Sequence, residues 1–383
     1  MKNGWLLLIL LLLSSSAGCL SGPNTKGENA LASGDYPTAL QLFKPLAEQG
    51  DARAQSNLGK MYYKGQGVPQ DYARALIWFR QAAVQGNADA QRYLGDMYYY
   101  GQGLPQSYTE AANWLRQAAV QGNVDAESNL GGLYRLGHGV PLDYSQAEKW
   151  IRKAAEKGNA DGQGNLGYLY ELGLGLKQDY VQAARWYRKA AAQGFVSAQN
   201  RLGALYFNGL GVKQDYAQAA NLFHQAADQG DASSQAWLAS LYANGTGVPQ
   251  DYTQAAFWYR KSADQGFDVA QNNLGVLYYY GVGVPQDNAQ AANWYQKAAN
   301  QGNKGARANL NALSAKTTRN DNVKRLFEKL LVIGLGTVLV NQAFGADSTT
   351  EHDRDTFSNQ EFERMERIIR KDEERKRQED QLR

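Results

Sequence analysis

Apolar and small residues return along this chain with a period of 36 residues. Leu58, Leu94, Leu130, Leu166, Leu202, Leu238 and Leu274 occupy one slot without exception. Tyr62, Tyr98, Tyr134, Tyr170, Tyr206, Tyr242 and Tyr278 follow four residues later. Together with the small residue four before each leucine (Ala54, Ala90 and their counterparts), they line one face of a first helix. The small residue after the leucine, Gly59 in the first copy and Ala239 in the sixth, predicts close approach of a neighbouring helix. A second helix in each copy is predicted to bury Ala75, Trp78, Ala82 and their counterparts, with Leu222 replacing the tryptophan once.

Between the two helices lies a stretch such as "YKGQGVPQDY", residues 63–72. Two glycines one residue apart before a helix invite a phosphate-cradling reading. A dinucleotide fingerprint also needs a third glycine, a preceding strand and a following helix. Gln70 fills the third-glycine slot, and the preceding segment has helical spacing. The pair recurs seven times, from Gly65 and Gly67 to Gly281 and Gly283, which marks joints rather than cofactor sites. The first glycine is expected to end the first helix in the left-handed conformation. Asp71, Asp143, Asp179, Asp215, Asp251 and Asp287, with Ser107 in the second copy, are placed to cap the second helix. Gly86 and its counterparts close it. Two helices of roughly 13 residues cannot bury such faces alone, so the units must stack, giving an all-α solenoid.

"AQSNLGKMYYKGQGVPQDYARALIWFRQAAVQGN" and its copies resemble the Sel1-like repeat, a tetratricopeptide-related family with a longer, glycine-bearing loop between its helices. The resemblance covers residues 52–303, 252 of 383 residues. It implies a right-handed α-solenoid of helix-turn-helix units whose first helices line the concave side, and a scaffold for protein–protein interaction. Residues 28–51 are in register with a second helix and predict an N-terminal capping half-repeat, and residues 304–316 predict a degenerate capping helix.

The ends add context. Residues 1–18 offer Lys2, an apolar run over 5–13 and then small residues, as a secretory signal does. "SAGC" before Leu20 resembles a bacterial lipobox, with Ser16 where leucine is usual, and implies a lipidated Cys19, the single cysteine. A triacylated cysteine buries methylenes at ~0.8 kcal/mol each, which suffices for stable anchoring. By the same resemblance Leu20 implies an outer-membrane lipoprotein of the bacterial envelope facing the periplasm. Residues 19–27 are expected to form a linker. Residues 317–346 hold an apolar segment too short for the ~20 residues of a membrane span, and are read as a helix packed on the last repeat or on a partner, the alternative being membrane contact. Residues 347–383 form a charged tail with eight acidic and eight basic side chains from 361 on.

The 40 Lys and Arg against 37 Asp and Glu leave no basic footprint for nucleic acid. His138, His224 and His352 lack paired ligand spacing, so no metal site and no cofactor are expected. No Ser-x-x-Lys, Gly-x-Ser-x-Gly or Walker motif occurs. Some cysteine-rich Sel1-like proteins are linked to β-lactam binding, but their cysteines are absent here. The chain is therefore read as non-catalytic, the alternatives being a glycan-binding or a peptidoglycan- or β-lactam-processing envelope protein.

Comparison among the copies also finds where they differ. The second, fifth, ninth and twelfth positions of the first helix vary while the third, seventh and eleventh stay fixed, which puts variation on one face. Aromatic and arginine side chains are frequent interface anchors. Tyr63, Arg92, Tyr99, Arg135, Tyr168, Phe207, Trp237 and Tyr279 are accordingly predicted to line a groove for other envelope proteins, or for a polysaccharide stacking on the rings.

Overall fold

The structure, a computed structural model, describes residues 22–315. The signal segment, Cys19, the apolar segment at 317–346 and the charged tail lie outside the described residues. Seventeen helices and no strand occur among the described residues. They are α1 (Pro23–Ala32), α2 (Tyr36–Glu48), α3 (Ala52–Lys64), α4 (Tyr72–Val84), α5 (Ala88–Tyr100), α6 (Tyr108–Val120), α7 (Val124–Leu136), α8 (Tyr144–Glu156) and α9 (Ala160–Leu172). Then come α10 (Tyr180–Ala192), α11 (Val196–Asn208), α12 (Tyr216–Asp228), α13 (Ala232–Asn244), α14 (Tyr252–Asp264), α15 (Asp268–Tyr280), α16 (Asn288–Asn300) and α17 (Lys304–Ala315). Two compact units divide them, one running to Ala198 with residues 210–212, the other comprising 199–209 and everything from Lys213 on.

Local chemistry sets each boundary. Asp71 accepts from the Arg74 amide at 2.9 Å, and Asp35, Ser107, Asp143, Asp179, Asp215, Asp251 and Asp287 cap their helices likewise. Each such cap contributes about 1 kcal/mol. Gly137 ends α7 at φ +68°, and the His138 amide donates back to the Leu133 carbonyl at 3.1 Å. Gly139, at φ +69°, has a second task, because a Cβ there would stand 2.1 Å from the backbone carbonyl group of Tyr108. The loop backbone thus lies on the first turn of α6, the second helix of the preceding repeat. Gln70, in the slot where a phosphate loop would carry glycine, donates to the Tyr63 carbonyl at 2.9 Å and to the Tyr72 hydroxyl at 3.1 Å. Five other repeats place glutamine in this position with the same backbone bond. The loop is a hydrogen-bonded joint.

The packing face differs in phase from the one read in the sequence. Leu58 and Ala54 are buried, but the tyrosine slot is only half-buried, and the preceding residue (Met61, Met97, Leu133) carries the core contact. In the second helix the residue after the tryptophan slot, which Leu222 fills once, is the fully buried one: Phe79, Leu115, Ile151, Tyr187, Phe223, Tyr259 and Tyr295. The reason is steric. In the six repeats with glycine in the small slot, this side chain lies over that glycine of its own repeat's first helix, and a Cβ on Gly59 would come within 2.7 Å of the Phe79 ring. Trp78, Trp114 and Trp150 flank that contact and remain half-buried, whereas Trp258 and Trp294 are buried.

The N-terminal boundary is also corrected. The expected linker ends at the start of α1, which begins at Pro23 with proline in its first turn. Gly27 is buried, and a Cβ on it would meet the Phe43 ring at 2.6 Å. Residues 23–48 therefore make a complete two-helix unit with a short turn, rather than the half-repeat starting at residue 28.

Candidate partner-binding surface

In the first unit, three first helices present parallel rows of residues at spacings of four, three and four. They are Asp89–Tyr93–Asp96–Tyr100 on α5, Asp125–Asn129–Gly132–Leu136 on α7 and Asp161–Asn165–Tyr168–Leu172 on α9. Side chains at such spacings share a face. Asp96 accepts from Arg92 at 2.7 Å and from Asn129 at 2.9 Å. Burial pushes the Asp96 carboxyl above the usual carboxylate range, with Arg92 and Asn129 acting against it. At Asp161, burial raises the carboxyl, and the nearby Asp125 charge adds to that.

Of the predicted groove residues, Tyr63, Arg92, Tyr99, Arg135 and Tyr168 belong to the first unit and Phe207, Trp237 and Tyr279 to the second, and most are spent on packing. Tyr63 packs against Tyr72 and Tyr93, with ring centroids 5.4 and 5.5 Å away, and donates to Gln102 at 2.7 Å. Burial raises its phenol, and the Asp96 charge adds to this. The Arg92 guanidinium lies 3.5 Å from the Tyr93 ring centroid, and that of Arg135 lies 5.3 Å from the Tyr168 centroid. Tyr99 contacts the Tyr100 and Tyr108 rings, and its hydroxyl is 3.5 Å from His138 Nδ1. In the second unit, Phe207 packs on Tyr216 and Trp237, and Tyr279 on Tyr280.

Trp237 is a plain correction. It is 1% exposed and stacks on Phe223 at 5.1 Å, with ring planes 3° apart. An anchor for a partner must be reachable, and this indole is core. The wider expectation that the variable positions form open surface fails for the same reason. Ser56, Ser128, Gly164 and Asn200 at the fifth position are all buried, as are Glu171 and Ala243 at the twelfth. Neighbouring first helices press together along this line, so the varied side chains fill the seam. The structure thus brings Arg135 to Tyr168 and Phe207 to Trp237, and links Tyr63 to Arg92 through Tyr93.

The sequence reading passed over Asp96, Gly132 and Asn165. Gly132 is the single glycine in its column of seven, and that irregularity was the available signal. It also passed over a polar ladder at the fourth position of the first helix. Gln85 donates to Gln55 at 2.8 Å, Gln121 to Gln91 at 2.7 Å and Gln193 to Gln163 at 2.9 Å. In the third repeat the pair becomes Lys157 with Glu127, at 2.7 and 2.9 Å. Among the described residues no group of His, Cys, Asp and Glu could hold a metal ion, and no helix is long and apolar enough to cross a membrane.

The Sel1 repeat profile matches residues 26–51, 52–87, 88–123, 124–159, 160–195, 196–231, 232–267 and 268–303. The chain belongs to the Sel1 repeat family. A protective antigen with an SLR fold from uropathogenic Escherichia coli strains is 38% identical to this Sel1 chain, with a TM-score of 0.65. That match covers 80% of the chain but only 66% of the antigen, so the chain spans just under two thirds of that relative. A Sel1 repeat protein from Oxalobacter formigenes is 32% identical over 80% of this chain and 93% of its own, with a TM-score of 0.57. No curated protein matches the sequence. The first matched repeat, 26–51, falls on the unit built from α1 and α2. Sel1 repeat proteins generally mediate protein–protein interaction, and the solenoid is typically non-catalytic.

Proposed function

We propose that this Sel1 chain is a non-catalytic scaffold that holds partner proteins at the bacterial envelope. Partners would be bound along the first-helix rows on the concave side, and an acylated Cys19 would tether the chain to the outer membrane, facing the periplasm. The observation that carries the binding part is the contrast between frame and guests. Leu58, Gly65, Asp71 and their counterparts repeat as structure, while the rows through Asp96, Gly132 and Asn165 differ from copy to copy and reach solvent in the first unit. A pre-ordered surface of this kind loses little conformational entropy on binding. Tethering would raise the local concentration of any membrane-proximal partner.

The glycan alternative loses its main support, because the rings invoked for it are engaged with one another or with guanidinium groups. Cross-linking of the tagged chain in intact cells, followed by mass spectrometry, tests the scaffold. Specific proteins should co-purify with the wild type, and their absence would refute it. A Cys19→Ser variant tests the tether separately. It should lose palmitate labelling and leave the membrane fraction, whereas an unchanged distribution would remove the lipoprotein part alone.

A further inference from the structure

A cavity of about 160 Å³ opens over Gly132 in the first unit. Tyr100, Leu133 and Leu136 give it apolar walls, and Asp96, Asn129 and Asn165 place polar atoms at its margin. Tyr100 is 65% exposed and Leu136 37%, so apolar surface stands open at the mouth. The cavity exists because of one residue. A Cβ on Gly132 would meet no side chain or neighbouring helix within 4 Å, while the same slot holds Asp96 and Tyr168 in the adjoining repeats and Lys60 in the first. Its volume is about half the lower limit of the ~300–1,000 Å³ typical of small-molecule pockets, and suits a single side chain.

The lining restricts what can enter. The Asp96 carboxylate is already held by Arg92 and Asn129, so a second charge would be desolvated without a partner. Among the described residues the Asn165 side chain has no hydrogen-bond partner, unlike Asn129 in the same position of the preceding repeat. A side-chain amide offers both a donor and an acceptor, which matches the N–H and C=O of a peptide backbone. One turn earlier on α9, Asp161 has neither an ion pair nor a side-chain hydrogen bond among the described residues, and Asp125 beside it receives the Asn159 amide at 2.9 Å. That end of the rows is negative, and no cation among the described residues pairs with it.

We infer that the cavity over Gly132 receives one uncharged, branched aliphatic side chain of an extended partner segment. Asn165 holds the segment's backbone, and Asp161 with Asp125 receives an adjacent Lys or Arg. This rests on the scaffold reading and specifies the partner's chemistry.

The test pans a random linear peptide library on the full chain, then titrates fluorescent copies of the enriched peptides. The variants are Gly132→Leu, Asn165→Ala and Asp161→Asn, each with its melting temperature measured. Enriched peptides should share an aliphatic residue beside Lys or Arg. Gly132→Leu should weaken binding about 10–100-fold, by analogy with pockets that discriminate by one or two methylenes, at an unlowered melting temperature. Asp161→Asn should weaken it several-fold and flatten its salt dependence.

No enrichment over a blank surface, or undiminished binding by a folded Gly132→Leu chain, overturns the inference. Should leucine at 132 lower the melting temperature, Asn165→Ala decides, and undiminished binding then overturns it. A soluble oligosaccharide that binds the wild type but not Gly132→Leu would replace the peptide with a glycan and refute it as well. Cellular cross-linking of Gly132→Leu separates the two levels. Partners retained in full would leave the scaffold standing and this cavity refuted, while partners lost would support both.

Discussion

In the first unit the ninth position of the first helix stands half-open at Lys60, Asp96, Gly132 and Tyr168. In the second it is sealed, with Ala204, Ser240 and Val276 all buried. At the sixth position the split is narrower: Asn129 and Asn165 of the first unit reach solvent and Trp237 and Asn273 of the second do not, whereas Asn57 and Tyr93 are buried and Arg201 is half-buried. The 36-residue frame is the same in both units, with the same left-handed glycines and with aspartate capping the second helices except at Ser107. What differs is a handful of guest side chains in the seam between neighbouring first helices. A frame that fixes spacing leaves those guests to decide whether a seam is core or surface.

Trp237→Ala should break the sealed side of this contrast most severely. Truncating a fully buried aromatic costs about 3–5 kcal/mol, because surrounding atoms relax only in part. In a stacked array the loss should be local, since each repeat contacts only its neighbours. Hydrogen exchange should therefore quicken in α12 to α14, beside a fall in the urea midpoint. Asn165→Ala, the same position on the open side, should stay within about 0.5 kcal/mol, as surface changes do. Equal costs at both sites would show that the two seams do not differ as described.

The frame was legible before any coordinates, and the reason is redundancy. Leu58, Gly65, Asp71 and their counterparts meet the same local demand seven times, so the chain averages out its own noise. Cap, turn and helix lengths came from local rules that the fold obeys. The guests have no such redundancy. Trp237 reads as an anchor because it is an aromatic residue in a variable column, and only the stack on Phe223 shows it as core. The phase error at Trp78 has a related cause. Trp78 and Phe79 are adjacent apolar side chains, both compatible with a helical stripe, and the choice between them lies in which one faces Gly59. That is a tertiary fact, beyond what one helix's periodicity contains.

Both units stand on a frame that does not yield, which Gly139→Ala tests. Alanine there would hold the left-handed region, at about 1–2 kcal/mol, and would press its Cβ into the Tyr108 backbone, adding about 1–3 kcal/mol. Gly137→Ala, two residues earlier, bears only the first cost, as its nearest neighbour would be Leu142 Cβ at 3.4 Å. Thermal melts should rank wild type above Gly137→Ala and Gly137→Ala above Gly139→Ala. Reversal of the two variants would mean that the loop does not bear on α6.

A guest exchange within the open unit gives a smaller effect. Lys157→Ala leaves the Glu127 carboxylate, 2% exposed, without its ammonium. Breaking a buried pair costs about 3–5 kcal/mol, and the half-exposed lysine reduces this to about 1–3. Glu127→Gln with Lys157→Gln restores the amide pair found at Gln91 with Gln121 and Gln163 with Gln193, and should recover most of the loss. A double variant no more stable than Lys157→Ala would show that the ladder positions are not interchangeable between repeats.

Gly132→Ala sharpens the contrast from the opposite direction, because here a larger residue should stabilise. Gly132 is in the interior of α7, outside the left-handed region, where glycine costs about 0.5–1 kcal/mol relative to alanine through unfolded-chain entropy. The added methyl would meet no side chain or neighbouring helix within 4 Å, so no packing penalty offsets the gain. At Gly131, one residue earlier, the same substitution would place a Cβ 2.5 Å from the Ile151 side chain and should destabilise. Adjacent glycines on one helix are thus expected to respond with opposite sign, one serving the closed helix pair and the other the open seam. A denaturant midpoint that falls in Gly132→Ala would mean that the seam in the first unit is as tightly filled as the one around Trp237.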